Sequence, residues 1–252
     1  MEYFFTYSDD IPDGCGFKLY GAAHVAYIVM IVIAAVILLT AKRYNKERFL
    51  RFLGDFLLFL IIIRIVIVTM IGKMSLYELP LHLCSIAGIL CFLHARFKTK
   101  WLGQVIYTLC LPGALFALLF PNWTEYPAMN FITIQAFLFH GGIVIYALLS
   151  LKEGEIIPDF SGILYSVIFL AGITVPIYLF DRNFGVNFLF VMWPSPDSPL
   201  EWMAGYMGNP GYLAGYALLV IFVICVMNFL YYLVHGIWAG YRNNRSNRSN
   251  RI

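Results

Sequence analysis

Seven apolar runs, at 21–40, 52–71, 79–97, 103–120, 131–149, 164–180 and 212–233, limit what this chain can fold into. Each is close to the roughly 20 residues that a helix needs to cross about 30 Å of hydrocarbon. Hydrocarbon offers no water to an unpaired peptide group, so each run must close its own hydrogen bonds as a helix. The runs do not alternate apolar with polar residues, which argues against a β-barrel. With 61% of residues hydrophobic and 12% charged, little chain is left for a separate water-soluble domain. The expected fold is all-α: one polytopic bundle of seven transmembrane helices over 1–241, with an extracytoplasmic loop near 181–211 and a basic disordered tail over 242–252.

Lysine and arginine set the expected orientation in the cell membrane, because cytoplasmic loops carry an excess of positive charge. Lys42, Arg43, Lys46, Arg48 and Arg51 fall in the first connection, Arg96, Lys98 and Lys100 in the third, and Arg242, Arg245, Arg248 and Arg251 in the tail. These faces are expected to be cytoplasmic. Glu2, Asp9, Asp10 and Asp13 make the N-terminus acidic, and 121–130 has no lysine or arginine, so both are expected outside. The N-terminus is thus outside and the C-terminus inside. A cleavable signal would start basic and then turn apolar; Met1 to Gly16 does neither, so the first helix is expected to direct insertion. Cys15 is expected outside and Cys84, Cys91, Cys110 and Cys225 within spans, a distribution that indicates no disulfide framework. The long connection at 181–211 carries Trp193, Trp202 and Tyr206, with Tyr212 just beyond; such rings settle at headgroup level, which suits a lid lying on the bilayer as well as an ordered interfacial loop.

Depth along the helices, at about 1.5 Å per residue, sorts the polar side chains. His24 falls just inside the first span, and His82 and Cys84 in the first turns of the third. Gln135 and His140 lie roughly 6 and 14 Å down the fifth, and Arg64 about 10 Å below the outer end of the second. This set shares the outer half of the membrane and implies a hydrated pocket there. Arg64 keeps its proton and must find a carboxylate, a phosphate or several carbonyls. Glu78, Asp181, Asp197 and Glu201 are its candidate partners, and an interhelical pair and a lipid-phosphate site are both open readings. Asp55, one turn from Arg51, is expected to pair with it. Gly141 and Gly142 follow His140 and leave room for a helix or ligand to come close.

A cysteine with a histidine on a facing helix is the minimum for covalent acyl transfer: histidine takes the thiol proton and the thiolate attacks an ester carbonyl. Cys91, Cys110 and Cys225 read as small hydrophobes. Zinc suits His82, Cys84, His24 and His140 by element type, but His82 and Cys84 are two residues apart and diverge by about 200° on a helix unless Pro80 breaks it. No metal and no cofactor are expected.

Leu79-Pro80-Leu81-His82-Leu83-Cys84-Ser85, the stretch from Gln135 to His140, and Asn183-Phe184-Gly185-Val186-Asn187-Phe188 with Pro194 and Ser198-Pro199-Leu200 resemble the bacterial YwaF-type integral membrane proteins. Those are similar to the animal transmembrane protein 164 group. The resemblance runs from about the first helix through the last. It implies a multi-pass acyltransferase remodelling phospholipids through a cysteine nucleophile and a histidine base, with more distant similarity to membrane hydrolases of fatty acid esters that use threonine and histidine. On that resemblance Cys84 is the nucleophile and His140 the base. Acyl-CoA is cytosolic whereas the pocket opens outward, so the expected partners are membrane phospholipids and lysophospholipids in a CoA-independent transfer, with hydrolysis when no acceptor is present. His82, His24, Arg64, Asn187, Gln135 and Glu78 form the expected substrate-binding set. Within it Arg64 or His24 holds the headgroup phosphate, and Asn187 orients the histidine or stabilises the oxyanion.

A transporter or channel for a small polar or lipidic solute is the reading from another class, since buried charges and helix breaks near Pro80, Pro112 and Pro176 also mark substrate paths. Against it, the inner half offers few matching polar residues beyond Asp55, Asn228 and His235, and no inverted repeat is visible between the halves. A seven-helix receptor shares only the topology.

Overall fold

The computed structural model of the chain describes residues 3–42, 45–195 and 198–249, with side chains described through 234 and at 236. Arg43, Asp197 and the side chains of His235 and of the basic tail lie outside the described residues. All regular structure among the described residues is helical: α1 Ala22–Thr40, α2 Lys46–Met70, α3 Leu83–Phe97, α4 Lys100–Val105, α5 Leu111–Leu119, α6 Phe131–Lys152, α7 Ser161–Phe184, α8 Pro199–Met207 and α9 Tyr212–Ser249. Seven helical stretches are long and apolar enough to cross a membrane, as expected; α4 and α5 join into one of them, and α8 is not among them. α8 is a short helix within the connection 185–211, with Trp202 and Tyr206 exposed.

Local chemistry explains where these helices begin, bend and end. Asn45 and Asn130 cap α2 and α6 by accepting from the amides of Arg48 (2.9 Å) and Ile132 (2.8 Å), and Ser198 caps α8 from Leu200. Proline has no N–H, and its ring crowds the carbonyl four residues back. Ahead of Pro112 the chain widens into a π turn at Ile106–Cys110, which relieves that crowding while the helix continues from α4 into α5. Pro80 holds α3 to a start at Leu83, after a 3-10 turn at Leu76–Glu78.

α6 is the central post: 78% of its spanning window is buried, against 11% for α1, α7 and α9, whose surfaces face lipid. Small residues set the distances around it. A Cβ on Gly54 of α2 would sit 3.1 Å from the Phe92 Cα of α3. On α6, Gly141 admits Ile31 of α1 and Gly142 admits Leu57 of α2, with distances of 2.9 Å to a notional Cβ in both cases. The space beside His140 left by these glycines is therefore filled by helices.

One rim of the bundle carries a belt of ion pairs: Lys46–Glu153, Arg51–Glu47 at 2.9 Å, Arg96–Asp55, Lys98–Glu155 at 2.9 Å and Lys100–Asp159 at 2.5 Å. The expected Asp55–Arg51 pair is corrected here. Arg51 turns back to Glu47, and the close α2–α3 approach at Gly54 brings Arg96, stacked 3.6 Å over the Phe92 ring, onto Asp55. On the opposite face residues 3–21 form a strap. Its Phe4 carbonyl accepts from the Phe131 amide (2.8 Å), Asn130 donates to the carbonyls of Tyr3 (2.6 Å) and Thr6 (2.9 Å), and the Phe17 amide donates to the Tyr126 carbonyl (3.2 Å). Lys73 pairs with Asp10 at 2.9 Å and secures the strap to the α2–α3 connection.

Two outcomes follow from this packing. Gly54→Val forces α2 and α3 apart and lowers stability by about 1–3 kcal/mol, measured as thermal unfolding in detergent, whereas Gly172→Val, with open space around it, changes little. The hydrogen bond from Lys100, followed by those from Ser161, holds Asp159 below the usual carboxylate range. Its contribution to stability is therefore present above about pH 4 and is lost as pH falls through the depressed value, and Lys100→Gln flattens that part of the acid unfolding curve.

Candidate functional site

The outer half of the bundle centres on Arg64. Its Nε donates to Glu78 Oε2 at 2.8 Å and its Nη2 to Oε1 at 3.3 Å, so of the four carboxylates considered as partners the structure selects Glu78. Asp181 is buried elsewhere with neither oxygen paired among the described residues, Glu201 lies exposed on α8, and Asp197 is outside the described residues. The Arg64 side chain is 30% exposed and that of Glu78 3%, so the cation reaches the surface while its counter-ion stays inside. The strap supplies a third member: Tyr7 donates its hydroxyl to Glu78 Oε1 at 2.6 Å. Burial, reinforced by the Glu78 bond, pushes the Tyr7 phenol well above its ordinary range and keeps it a donor.

His82 and Cys84 follow directly. His82 is the residue before the first turn of α3 and lies outside the helix, its ring edge-on to Phe188 at 4.7 Å. Cys84 is the second residue of that turn, half-buried, with Tyr216 and Cys110 among its neighbours. No side chain caps α3, so its first amides stay available beside the Cys84 thiol. A helix amino end favours a developing oxyanion next to it.

The histidines divide by hydrogen bonding. His140 donates from Nδ1 to the Ala136 carbonyl at 2.7 Å; a carbonyl only accepts, so Nε2 is the basic nitrogen, and no partner holds it among the described residues. Trp123 stacks on the ring with centroids 5.1 Å apart at 14°. His24 is committed at both ends, accepting from the Tyr20 amide at Nδ1 (3.0 Å) and donating from Nε2 to the Leu118 carbonyl (2.8 Å). It has no free nitrogen for a phosphate and instead fastens α1 to the end of α5. Gln135 donates to the Leu60 carbonyl at 3.1 Å, a brace between α6 and α2. Asn187 is likewise engaged: it donates to the Trp193 carbonyl at 2.7 Å and accepts from the Met192 amide at 2.9 Å, shaping the loop that carries Phe188 onto His82. The structure thus unites Arg64, Glu78 and Tyr7, sets His82 and Cys84 at the start of α3, and places His140 on a separate helix with no hydrogen bond to Cys84.

Sequence reasoning missed three features. Tyr7 lies in a polar segment with no local signal, and only the folded strap brings it to Glu78. The Trp123 indole N–H is buried against His140 without a partner among the described residues. The half of the bundle near the ion-pair belt is richer in polar groups than expected: His94 Nδ1 meets the Tyr146 hydroxyl at 2.8 Å, Thr108 meets Ser166 at 2.5 Å, and Gln104 donates to the Ile157 carbonyl at 2.8 Å. Each of these ties two elements together, which their isolated occurrence in apolar runs does not reveal.

Among known proteins, residues 19–232 match the model of the TMEM164 family, and no curated protein and no solved structure matches.

Removing one member of the ion pair strands the other. Arg64→Met leaves the Glu78 carboxylate buried and costs about 3 kcal/mol, while the double variant Arg64→Met/Glu78→Gln loses less than the single one. A double-variant loss equal to the sum of the two singles, in detergent melts, contradicts this coupling.

Proposed function

Because the chain belongs to the TMEM164 family, we propose that this seven-helix membrane protein transfers acyl chains between phospholipids, with Cys84 as nucleophile and His140 as general base. The observation that carries the proposal is the state of His140: its tautomer is set by Ala136 and its basic nitrogen is unoccupied, whereas His24 has both nitrogens closed by backbone groups. The uncapped start of α3 supports the same reading from the nucleophile's side. In it, His140 Nε2 takes the Cys84 proton, the thiolate attacks an ester carbonyl of the donor, and the first amides of α3 receive the oxyanion. The lyso product leaves with the proton from His140. A lysophospholipid hydroxyl then attacks the thioester by the reverse sequence, and water in its place gives hydrolysis.

Cys84 and His140 are not hydrogen-bonded in the resting bundle, so the proton transfer belongs to the lipid-bound state, in which catalytic hydrogen bonds tighten. Arg64 holds the headgroup phosphate in this reading. It is a partly exposed cation of the outer half, and its Nη1 group is left over by Glu78. The connection 185–211, with α8 and its exposed aromatic rings, acts in this reading as the lid that limits water.

The test is labelling by a lipid-like thiol-reactive probe, mapped by mass spectrometry, run beside an exchange assay with labelled phospholipid and lysophospholipid in mixed micelles. Selective labelling of Cys84, acyl exchange abolished in Cys84→Ala and a loss of about a hundredfold or more in His140→Ala are expected. Exchange that survives Cys84→Ala, or labelling of all accessible cysteines alike and indifferent to His140, rules the mechanism out.

A further inference from the structure

We propose that Tyr7, carried by the N-terminal strap, is a positioning residue that keeps Arg64 open to the phosphate of a lipid headgroup. The inference rests on the phospholipid reading of the site and adds a residue that the family signature and the sequence motifs leave out, since Tyr7 precedes the matched segment 19–232.

The argument starts from how Glu78 shares its oxygens. An arginine fork and a carboxylate left to themselves settle into two parallel, equally short hydrogen bonds. Here the pair is lopsided, with 2.8 Å from Nε to Oε2 but 3.3 Å from Nη2 to Oε1. The oxygen with the long contact is the one that accepts from Tyr7 at 2.6 Å. Tyr7 thus competes with Nη2 for Oε1 and takes over part of its charge. Arg64 stays anchored through Nε, while Nη1 and the loosely held Nη2 remain for an incoming anion. Glu78 cannot follow the anion outward, because its side chain is almost fully buried.

Placement and chemistry fit the role. The Tyr7 ring packs edge-on against Tyr126, with centroids 6.0 Å apart, and Tyr126 in turn donates to Ser8 of the strap at 3.3 Å. Lys73 pairs with Asp10, the last residue of a 3-10 turn at Ser8–Asp10 that follows Tyr7. The hydroxyl is therefore presented by a docked segment rather than a mobile end. The groups that face it are Glu78, Arg64 and Tyr126, and the raised pKa of its phenol keeps it donating across the working pH range.

The test compares two lipids that differ in the phosphate. Binding of a short-chain phosphatidylcholine and of the matching diacylglycerol is measured on full-length Cys84→Ser protein in detergent, with and without Tyr7→Phe. Phenylalanine keeps the ring contact with Tyr126 and removes only the hydroxyl. Tyr7→Phe is expected to weaken phosphatidylcholine binding about tenfold and to leave diacylglycerol binding unchanged, the loss expected when a charge-assisted phosphate contact is given up. In the Cys84 protein the same substitution is expected to raise KM for the phospholipid donor with little change in kcat. Asp10→Asn, which loosens the strap without touching Glu78, is expected to keep the preference for phosphate. Equal weakening toward both lipids, or an equal effect of Asp10→Asn, overturns the inference and makes Tyr7 a strap anchor only. If no acyl exchange occurs with any donor but the phosphate-selective loss on Tyr7→Phe persists, the catalytic reading fails and this inference stands.

Discussion

Hydrocarbon offers a polar group nothing to bond to, and most of this structure is a set of answers to that constraint. It makes every span a helix, and it also decides what happens where a helix is interrupted. Pro112 removes a donor from the middle of a span, and the chain absorbs it with a buried π turn, so the helix continues without an exposed break. His24 has both ring nitrogens closed by backbone groups, Gln135 bonds a carbonyl of α2, and Thr108 bonds Ser166. Each is a polar side chain made tolerable by a neighbouring helix, and each fixes that neighbour's position in return.

Against such closure stand a few exceptions in the outer half. His140 holds one hydrogen bond on the nitrogen that must donate and leaves the basic one open. Trp123, stacked on it, has an indole N–H with no partner among the described residues. The first turn of α3 has no side-chain cap, and Cys84 sits in it. Groups left unsatisfied in a low-dielectric interior cost stability, and they are not confined to this half: His94 Nε2, the Thr99 and Ser150 hydroxyls and Asn228 Oδ1 also lack partners among the described residues. Arg64 belongs to the same logic at the surface, a charge only partly neutralised by a buried acid and a phenol.

The strap changes how the outer face is understood. A sequence reading offers the long aromatic connection around α8 as a lid or an ordered interfacial loop, yet residues 3–21 are also tied onto this end of the bundle, by hydrogen bonds to Asn130, Phe131 and Tyr126 and by the Lys73–Asp10 pair. Both segments border the α3 start, one through Tyr7 on Glu78 and the other through Phe188 on His82.

Hydrophobicity is local, so the run lengths by themselves determined the all-helical class, the seven spans and the gathering of His82, Cys84, Arg64 and Glu78 toward one side. The family-bearing stretches from Leu79 to Ser85 and from Gln135 to His140 were legible for the same reason: their residues are neighbours in the chain. Tertiary structure alone decided which polar group meets which. Four carboxylates were equal candidates for Arg64 until the turn at Leu76–Glu78 brought Glu78 against it. Asp55 found Arg96 because Gly54 lets two backbones close, and the space beside Gly141 and Gly142 went to Ile31 and Leu57. His24 and His140 are alike as letters in an apolar helix; a carbonyl from Leu118 closes the Nε2 of one, and among the described residues no partner closes the Nε2 of the other. Hydrogen bonds act over about 3 Å between groups that are often far apart in sequence, so no periodicity or composition encodes them, and only the packed bundle separates a structural histidine from a candidate base.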